Sequence, residues 1–165
     1  MKRLFAALVA AALATAIAAP SAFAADDSKE FIQKAVRGNI AEVKLGQLAE
    51  KQATSEQVKA LGQTLRTDHA KALDKSEALA KELGVAVPNE PTEDGREIHE
   101  RLSKMSGAAF DKAFVEAAIE DHEKDIELYE EQAEDGDNKK VVEYAQATLP
   151  GLKKHLDMAR KLERN

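Results

Sequence analysis

Residues Thr54–Gly84 have the sequence TSEQVKALGQTLRTDHAKALDKSEALAKELG, in which apolar or small side chains recur at alternating spacings of four and three. This spacing places them on one face of an α-helix, with most of the charged residues on the other face. The apolar face carries one histidine, and its members are Val58, Gly62, Leu65, His69, Ala72, Ser76, Leu79 and Leu83. Thr54 and Gln57 fit a capping box at the helix start, and Gly84 fits its end. The segment predicts one long amphipathic helix with a histidine in its buried face.

Three further segments have the same helical periodicity. They are Ser28–Ala53, a stretch from Ser106 to the turn EDGDN at 134–138, and a last stretch that contains Pro150. The connection VAVPNEPTEDG at 85–95 is the longest, and a short helix is expected after it, near Arg96–Lys104. Short connections elsewhere predict antiparallel pairs, and the long one leaves room for a crossover. The predicted fold is all-α: an antiparallel, ferritin-like four-helix bundle with a short extra helix before the third long helix.

The composition agrees with a helical protein. Among 165 residues, 33% are charged and only 4% are aromatic, and there is neither cysteine nor tryptophan. Without cysteine the fold does not depend on disulfides. The body is acidic and has no basic patch, which argues against nucleic acid as a partner. It also has no Gly-rich phosphate loop, G-x-S-x-G or H-E-x-x-H, so no recognised catalytic motif is present.

The N-terminus has the pattern of a secretory signal peptide. Lys2 and Arg3 precede the apolar run LFAALVAAALATAIAA, and Ala22-Phe23-Ala24 fits a cleavage site. Cleavage after Ala24 predicts residues 1–24 as the signal peptide and 25–165 as the bundle domain. It would leave 22 basic against 30 acidic residues, a net charge of −8. The prediction is a periplasmic or secreted protein with no transmembrane segment after cleavage; the alternative is an uncleaved membrane anchor.

One polar residue that can bind a metal falls on the predicted buried face of each long helix. They are His69, His122 and His155, with Glu42 on the remaining helix. Three imidazoles and a carboxylate converging from four helices would form a ligand set for one transition-metal ion, such as zinc, copper or iron. Because imidazole binds metal only when neutral, affinity should fall below the ordinary histidine pKa of about 6.5.

The flanking charges leave two interpretations open. Asp68 and Asp121, each preceding a histidine, could accept hydrogen bonds from a histidine on a neighbouring helix, or they could be surface charges paired with Lys71 and Lys124. Asp125 is a further candidate ligand or network member. The histidines could equally form a metal-free hydrogen-bonded network in a structural or partner-binding module, and a metallo-oxidase is a second alternative. His99, among charges in EIHERL, is expected to be exposed.

Three stretches give the chain a resemblance to a known family. They are GNIAEVKLGQLAEKQATSEQVKALGQTLRTDHAKA (38–72), SGAAFDKAFVEAAIEDHEKDIELYEEQA (106–133) and ATLPGLKKHLDMARKL (147–162). The chain resembles the exported, ferritin-like family called domain of unknown function 4142, often labelled "putative outer membrane protein". The resemblance implies a ferritin-like bundle and export, and no established reaction. Di-iron ferritins carry Glu-x-x-His, but here Arg66 and Ile119 stand three residues before His69 and His122, which argues against ferroxidase chemistry.

Overall fold

The chain forms five helices and no strand within residues 24–164, which are the residues that this computed structural model describes. The helices are α1 (Ala24–Gln52), α2 (Glu56–Glu82), α3 (Glu93–Ser103), α4 (Gly107–Asp135) and α5 (Lys139–Glu163). The predicted all-α bundle and its short extra helix are confirmed. Of the predicted signal peptide at 1–24, only Ala24 lies within the described residues. None of the described helices is both long enough and apolar enough to cross a membrane.

The ends of α2 follow local chemistry, with one correction to the sequence prediction. Ser55, and not Thr54, caps α2, and its hydroxyl accepts from the Val58 backbone N–H. Thr54 instead bonds to Asp111 at the start of α4, with its hydroxyl 2.6 Å from Oδ2. At the other end Gly84 adopts a φ of 66°, a conformation that glycine adopts without strain. α2 therefore stops where the sequence predicts.

The helix directions follow from contacts at the two ends of the bundle. Asp111 joins the start of α4 to the turn between α1 and α2. Ser28, near the start of α1, donates a 2.5 Å hydrogen bond to Asp137 in the turn between α4 and α5. α4 therefore runs parallel to α2 and antiparallel to α1. The connection at 83–106, including α3, must span the length of the bundle, which is the crossover arrangement of ferritin-like folds.

The core consists of two apolar clusters with polar residues between them along each helix. One cluster, near the turn between α1 and α2, contains Leu45, Leu65, Phe110 and Phe114. The other, near the opposite end of the bundle, contains Phe31 and residues of α2, α4 and α5. The buried polar residues that fall between the two clusters form what we call the central polar layer: Asn39, Glu42, His69, His122 and His155. Burying such groups is costly unless each has a partner, so the contacts within this layer decide what it does.

Candidate metal centre

Three imidazoles meet inside the central polar layer. His69 Nε2 lies 3.4 Å from His122 Nε2, which in turn lies 3.4 Å from His155 Nδ1. All three nitrogens lie within 4.8 Å of one another. The residues are only 3%, 1% and 4% exposed. The structure thus brings together the three histidines that the sequence placed on buried helix faces, one each from α2, α4 and α5.

The other nitrogen of each imidazole faces a hydrogen-bond acceptor. His69 Nδ1 lies 2.9 Å from Asn39 Oδ1. His122 Nδ1 lies 2.8 Å from the Ala118 carbonyl, and His155 Nε2 lies 3.2 Å from Asp68 Oδ2. A carbonyl and a carboxylate only accept, so these outer nitrogens must carry the protons.

The Asn39 amide is oriented by its own contacts. Its Nδ2 donates to the Ala35 carbonyl at 2.8 Å and to the Tyr144 hydroxyl at 3.3 Å. Its Oδ1 is therefore the atom that faces His69, and the proton lies on His69 Nδ1.

These outer hydrogen bonds leave the three inner nitrogens with lone pairs directed toward one another. An N–H···N hydrogen bond is ordinarily shorter than the 3.4 Å separations seen here. Two imidazole nitrogens bound tetrahedrally to one zinc at 2.0–2.1 Å would be separated by about 3.4 Å. The proton positions and these two separations are compatible with a cation shared by the rings.

The electrostatic surroundings keep the imidazoles neutral. Burial lowers the pKa of His69 well below 6.5, and the neighbouring histidines lower it further. Burial likewise lowers the pKa of His122 to about 4. The pKa of His155 is also lowered by burial, although Asp68 opposes the shift. Neutral imidazole is the form that binds metal, so all three side chains are ready to bind at neutral pH.

Glu42 lies in the same layer but on its α1–α4 side. Its side chain is 1% exposed, and neither carboxylate oxygen has a hydrogen bond of ordinary geometry. Its carboxylate is not part of the group of converging ligand atoms. Burial raises its pKa well above 4.5, and the nearby carboxyls of Asp121 and Asp125 raise it further. Burial and Asp121 also raise the pKa of Asp125 to about 8.

The charges next to the histidines are placed in different ways. Asp68 contacts both His155 and Lys71, the latter at 3.2 Å. Both predicted interpretations, a contact with a histidine and a pair with a lysine, therefore apply to Asp68. Asp121 raises the pKa of both Glu42 and Asp125. Lys124 pairs with Glu120 at 2.8 Å, and not with Asp121 as one of the two interpretations had it. The i,i+4 spacing brings Lys124 and Glu120 together on one helix face.

Two parts of the site were not identified from the sequence: the Asn39 amide and the Ala118 carbonyl. Asn39 did carry a signal, since it occupies the apolar face of α1 one turn before Glu42. A backbone carbonyl leaves no signal in a sequence.

His99 lies on α3, outside the triad. The sequence predicted an exposed side chain, but His99 is half-buried. It lines a cavity with Arg96 and with Ala41 and Lys44 of α1, because α3 packs along α1. The prediction of full exposure is wrong for this reason.

Comparison with known proteins identifies the family. The family model described as a domain of unknown function, DUF4142, matches residues 12–162. The chain belongs to the DUF4142 family. No curated protein matches this DUF4142 chain. The crystal structure of a DUF305 fragment from Deinococcus radiodurans is similar, with a TM-score of 0.73 and 14% identity, covering 83% of this chain and 95% of that one. At this identity the likeness concerns the fold alone.

Proposed function

We propose that this DUF4142 protein is an exported metal-binding protein that holds one divalent transition-metal ion at His69 Nε2, His122 Nε2 and His155 Nδ1. Zinc, copper and iron all accept imidazole nitrogen. The role that fits best is metal handling, or protection of the cell envelope from metal stress, because the sequence contains no recognised catalytic motif.

One observation carries this proposal. Each imidazole has a hydrogen-bond acceptor beside one ring nitrogen, and the other nitrogens of the three rings lie within 4.8 Å of one another. Outer acceptors of this kind fix the tautomer and the ring orientation of histidine ligands in metal sites. Within a metal-free network the same arrangement would leave three buried lone pairs unsatisfied, which is unfavourable.

Glu42 has an assisting role in this proposal. Neither of its oxygens has a hydrogen bond of ordinary geometry, and the charges that act on it are the carboxyls of Asp121 and Asp125. A cation at the triad would be an attractive charge in the same layer, and it would favour the ionised carboxylate.

Export is supported by the sequence of the first residues. Lys2 and Arg3, the apolar run and Ala22-Phe23-Ala24 have the order of a signal peptide. The metal site would then operate in the periplasm or outside the cell.

The test uses full-length protein expressed in a bacterium and recovered from the periplasmic fraction. N-terminal sequencing should give Ala25. After chelation and dialysis against Co²⁺ or Zn²⁺, elemental analysis should give one equivalent per chain. Replacing His69, His122 and His155 together with Gln should abolish this binding, and circular dichroism should show that the helices persist.

His99→Gln is the matched control, since it removes the remaining histidine and leaves the triad intact. It should bind one equivalent like the parent. Full binding by the triple variant would mean that acidic surface residues take the metal. A parent protein that binds none would leave the histidines as a structural network, and the proposal would be wrong.

A further inference from the structure

Three imidazoles leave at least one coordination position of a metal ion free. Zinc and related ions take four or more ligands, and sites that work on exogenous ligands keep one position open. Among residues 24–164, no further His, Cys, Asp or Glu contributes an atom to this group of converging ligand atoms. The carboxyls that act on Glu42, those of Asp121 and Asp125, lie on α4, so Glu42 belongs to the α1–α4 side of the layer.

A cavity between α2 and α5 adjoins two of the three histidines. Its volume is about 180 Å³, and both His69 and His155 line it. We call it the α2–α5 cavity. Its lining includes the small residues Ala72, Ala147 and Gly151, which leave space between the two helices. At roughly 30 Å³ per water in the liquid, the volume accommodates several waters or one small ligand.

The charges of the α2–α5 cavity favour an anion. Lys71 and Lys75 line it together with one carboxylate, that of Asp68. Asp68 already contacts both His155 and Lys71. A divalent ion held by three neutral imidazoles would keep its full positive charge beside two residues that line this cavity, His69 and His155. In a protein with a net charge of −6, such a local excess of positive charge stands out.

We propose that the α2–α5 cavity admits a small monovalent anion to the open coordination position of the metal at the triad. The inference rests on the proposed metal site and adds to it an exchangeable ligand of defined charge and size. Lys75 attracts the anion, and the small residue at 151 keeps the path open.

Azide is the probe, and its binding is measured on the Co²⁺-loaded protein by visible absorption. Azide should change the Co²⁺ bands saturably, with one site per chain. Lys75→Gln should weaken azide binding about two- to fivefold, the range of one exposed charge interaction. Raising the ionic strength should reduce this difference.

Gly151→Leu should obstruct the cavity and weaken azide binding more strongly than Lys75→Gln does. A Cβ at Gly151 meets no atom within 4 Å, so the variant should fold. Gly38→Leu is the matched control, because it is also helical and also meets nothing within 4 Å, but lies on α1 away from the cavity. It should bind azide like the parent.

The results separate this inference from the proposed function. If Co²⁺ binds to the parent and not to the triple Gln variant, while azide leaves the spectrum unchanged, the metal site stands and the inference is wrong. Azide binding only in Glu42→Gln would show that Glu42 occupies the open position, and it would also overturn the inference. Equal azide affinity in Gly151→Leu and Gly38→Leu would exclude the α2–α5 cavity as the route. Failure of the parent to bind Co²⁺ would overturn both proposals.

Discussion

At the scale of single residues, the three imidazoles differ in the acceptor behind them. His69 has an amide, His122 a backbone carbonyl and His155 a carboxylate. The carbonyl of Ala118 is fixed by helix α4, one turn before His122, so this contact follows from helical geometry alone. The Asn39 and Asp68 contacts cross between helices, and they hold only while the bundle keeps its register. Metal affinity should therefore be most sensitive to these two side chains.

Asn39→Ala tests the amide. Without the Asn39 oxygen, His69 loses the acceptor that keeps its proton on Nδ1, and the proton can move to the nitrogen that would bind metal. Loss of such an outer contact typically lowers metal affinity by about 10- to 100-fold. Titration of the chelated protein with Zn²⁺ against a competing indicator measures this change.

Tyr144→Phe is the control for Asn39→Ala. It removes the hydroxyl 3.3 Å from Asn39 Nδ2 and leaves the contact between Asn39 and His69 in place. Its Zn²⁺ affinity should stay close to that of the parent. If both variants lost affinity equally, general loosening of the core would be the cause, and tautomer control would not.

At the scale of elements, the 3-4 spacing predicted which side chains are buried. Every member of the predicted faces of α1 and α2 is buried or half-buried in the structure, including Asn39, Glu42 and His69. A helix that buries one apolar face must have this spacing, so the spacing can be recognised in a single sequence. The cap of α2 could not be fixed in this way: Thr54 and Ser55 are both good caps, and a tertiary contact with Asp111 decides between them.

The candidate site was predictable to a similar degree. The helical periodicity placed one histidine on the buried face of each of α2, α4 and α5, and it thereby identified His69, His122 and His155. The acceptors for their outer nitrogens depend on how each helix is rotated against its neighbours, which periodicity does not specify. Glu42 could be predicted as inward, but its position on the α1–α4 side, beside Asp121 and Asp125, could not.

Asp111→Ala tests the contact that joins two elements. The Asp111 carboxylate accepts from the Thr54 hydroxyl and from two backbone N–H groups. Its loss should lower the free energy of unfolding by about 1.5–3 kcal/mol, as expected for a hydrogen bond to a charged group. Urea denaturation at pH 7 measures the change, and Glu116→Ala, at an exposed position on the same helix, should leave the midpoint unchanged.

The same contact should depend on pH. Burial alone would raise the pKa of Asp111, but the hydrogen bonds from Thr54 and Ser55 lower it below 3.8. A carboxyl whose folded pKa is lowered stabilises the protein above its unfolded pKa and loses that effect as pH falls through the folded value. The difference between parent and Asp111→Ala should therefore shrink below about pH 3.8. An unchanged difference at lower pH would contradict the ionic nature of the contact.

At the scale of the whole molecule, the bundle consists of two hairpins, α1–α2 and α4–α5, joined by the crossover that contains α3. His69 belongs to the first hairpin, while His122 and His155 belong to the second. A metal bound only by the folded protein stabilises it by about 2.7 kcal/mol at a hundredfold excess over Kd. A metal held by residues of both hairpins would therefore stabilise the whole bundle and not one hairpin alone.

Zinc should raise the melting temperature by roughly 5–10 °C at pH 7.5 under that excess. The ordinary histidine pKa would predict that the effect fades below about pH 6.5. In the folded protein, however, burial lowers the pKa of His122 to about 4 and also lowers those of His69 and His155. The rise should therefore persist at pH 5 and vanish near pH 4, as protons compete for the inner nitrogens.

Differential scanning calorimetry at constant free zinc measures this dependence. The triple Gln variant should show no zinc-dependent rise at any pH. Loss of the effect in the parent already at pH 6 would mean that its imidazoles titrate as exposed groups, and the buried triad would not be the zinc site.

Because the crossover separates the two hairpins in the chain, a metal at the triad would link them. His69 and His122 are 53 residues apart in the chain, so a metal bond between them closes a large covalent loop, as a reversible cross-link would. Because the metal binds only the folded bundle, it leaves the unfolded chain unconstrained and stabilises the folded state by mass action. Without metal, we expect sub-global openings in which the two hairpins separate to be more frequent. With metal, the two hairpins are linked near the middle of the bundle. Amide protons of both hairpins should then exchange only when the entire bundle opens.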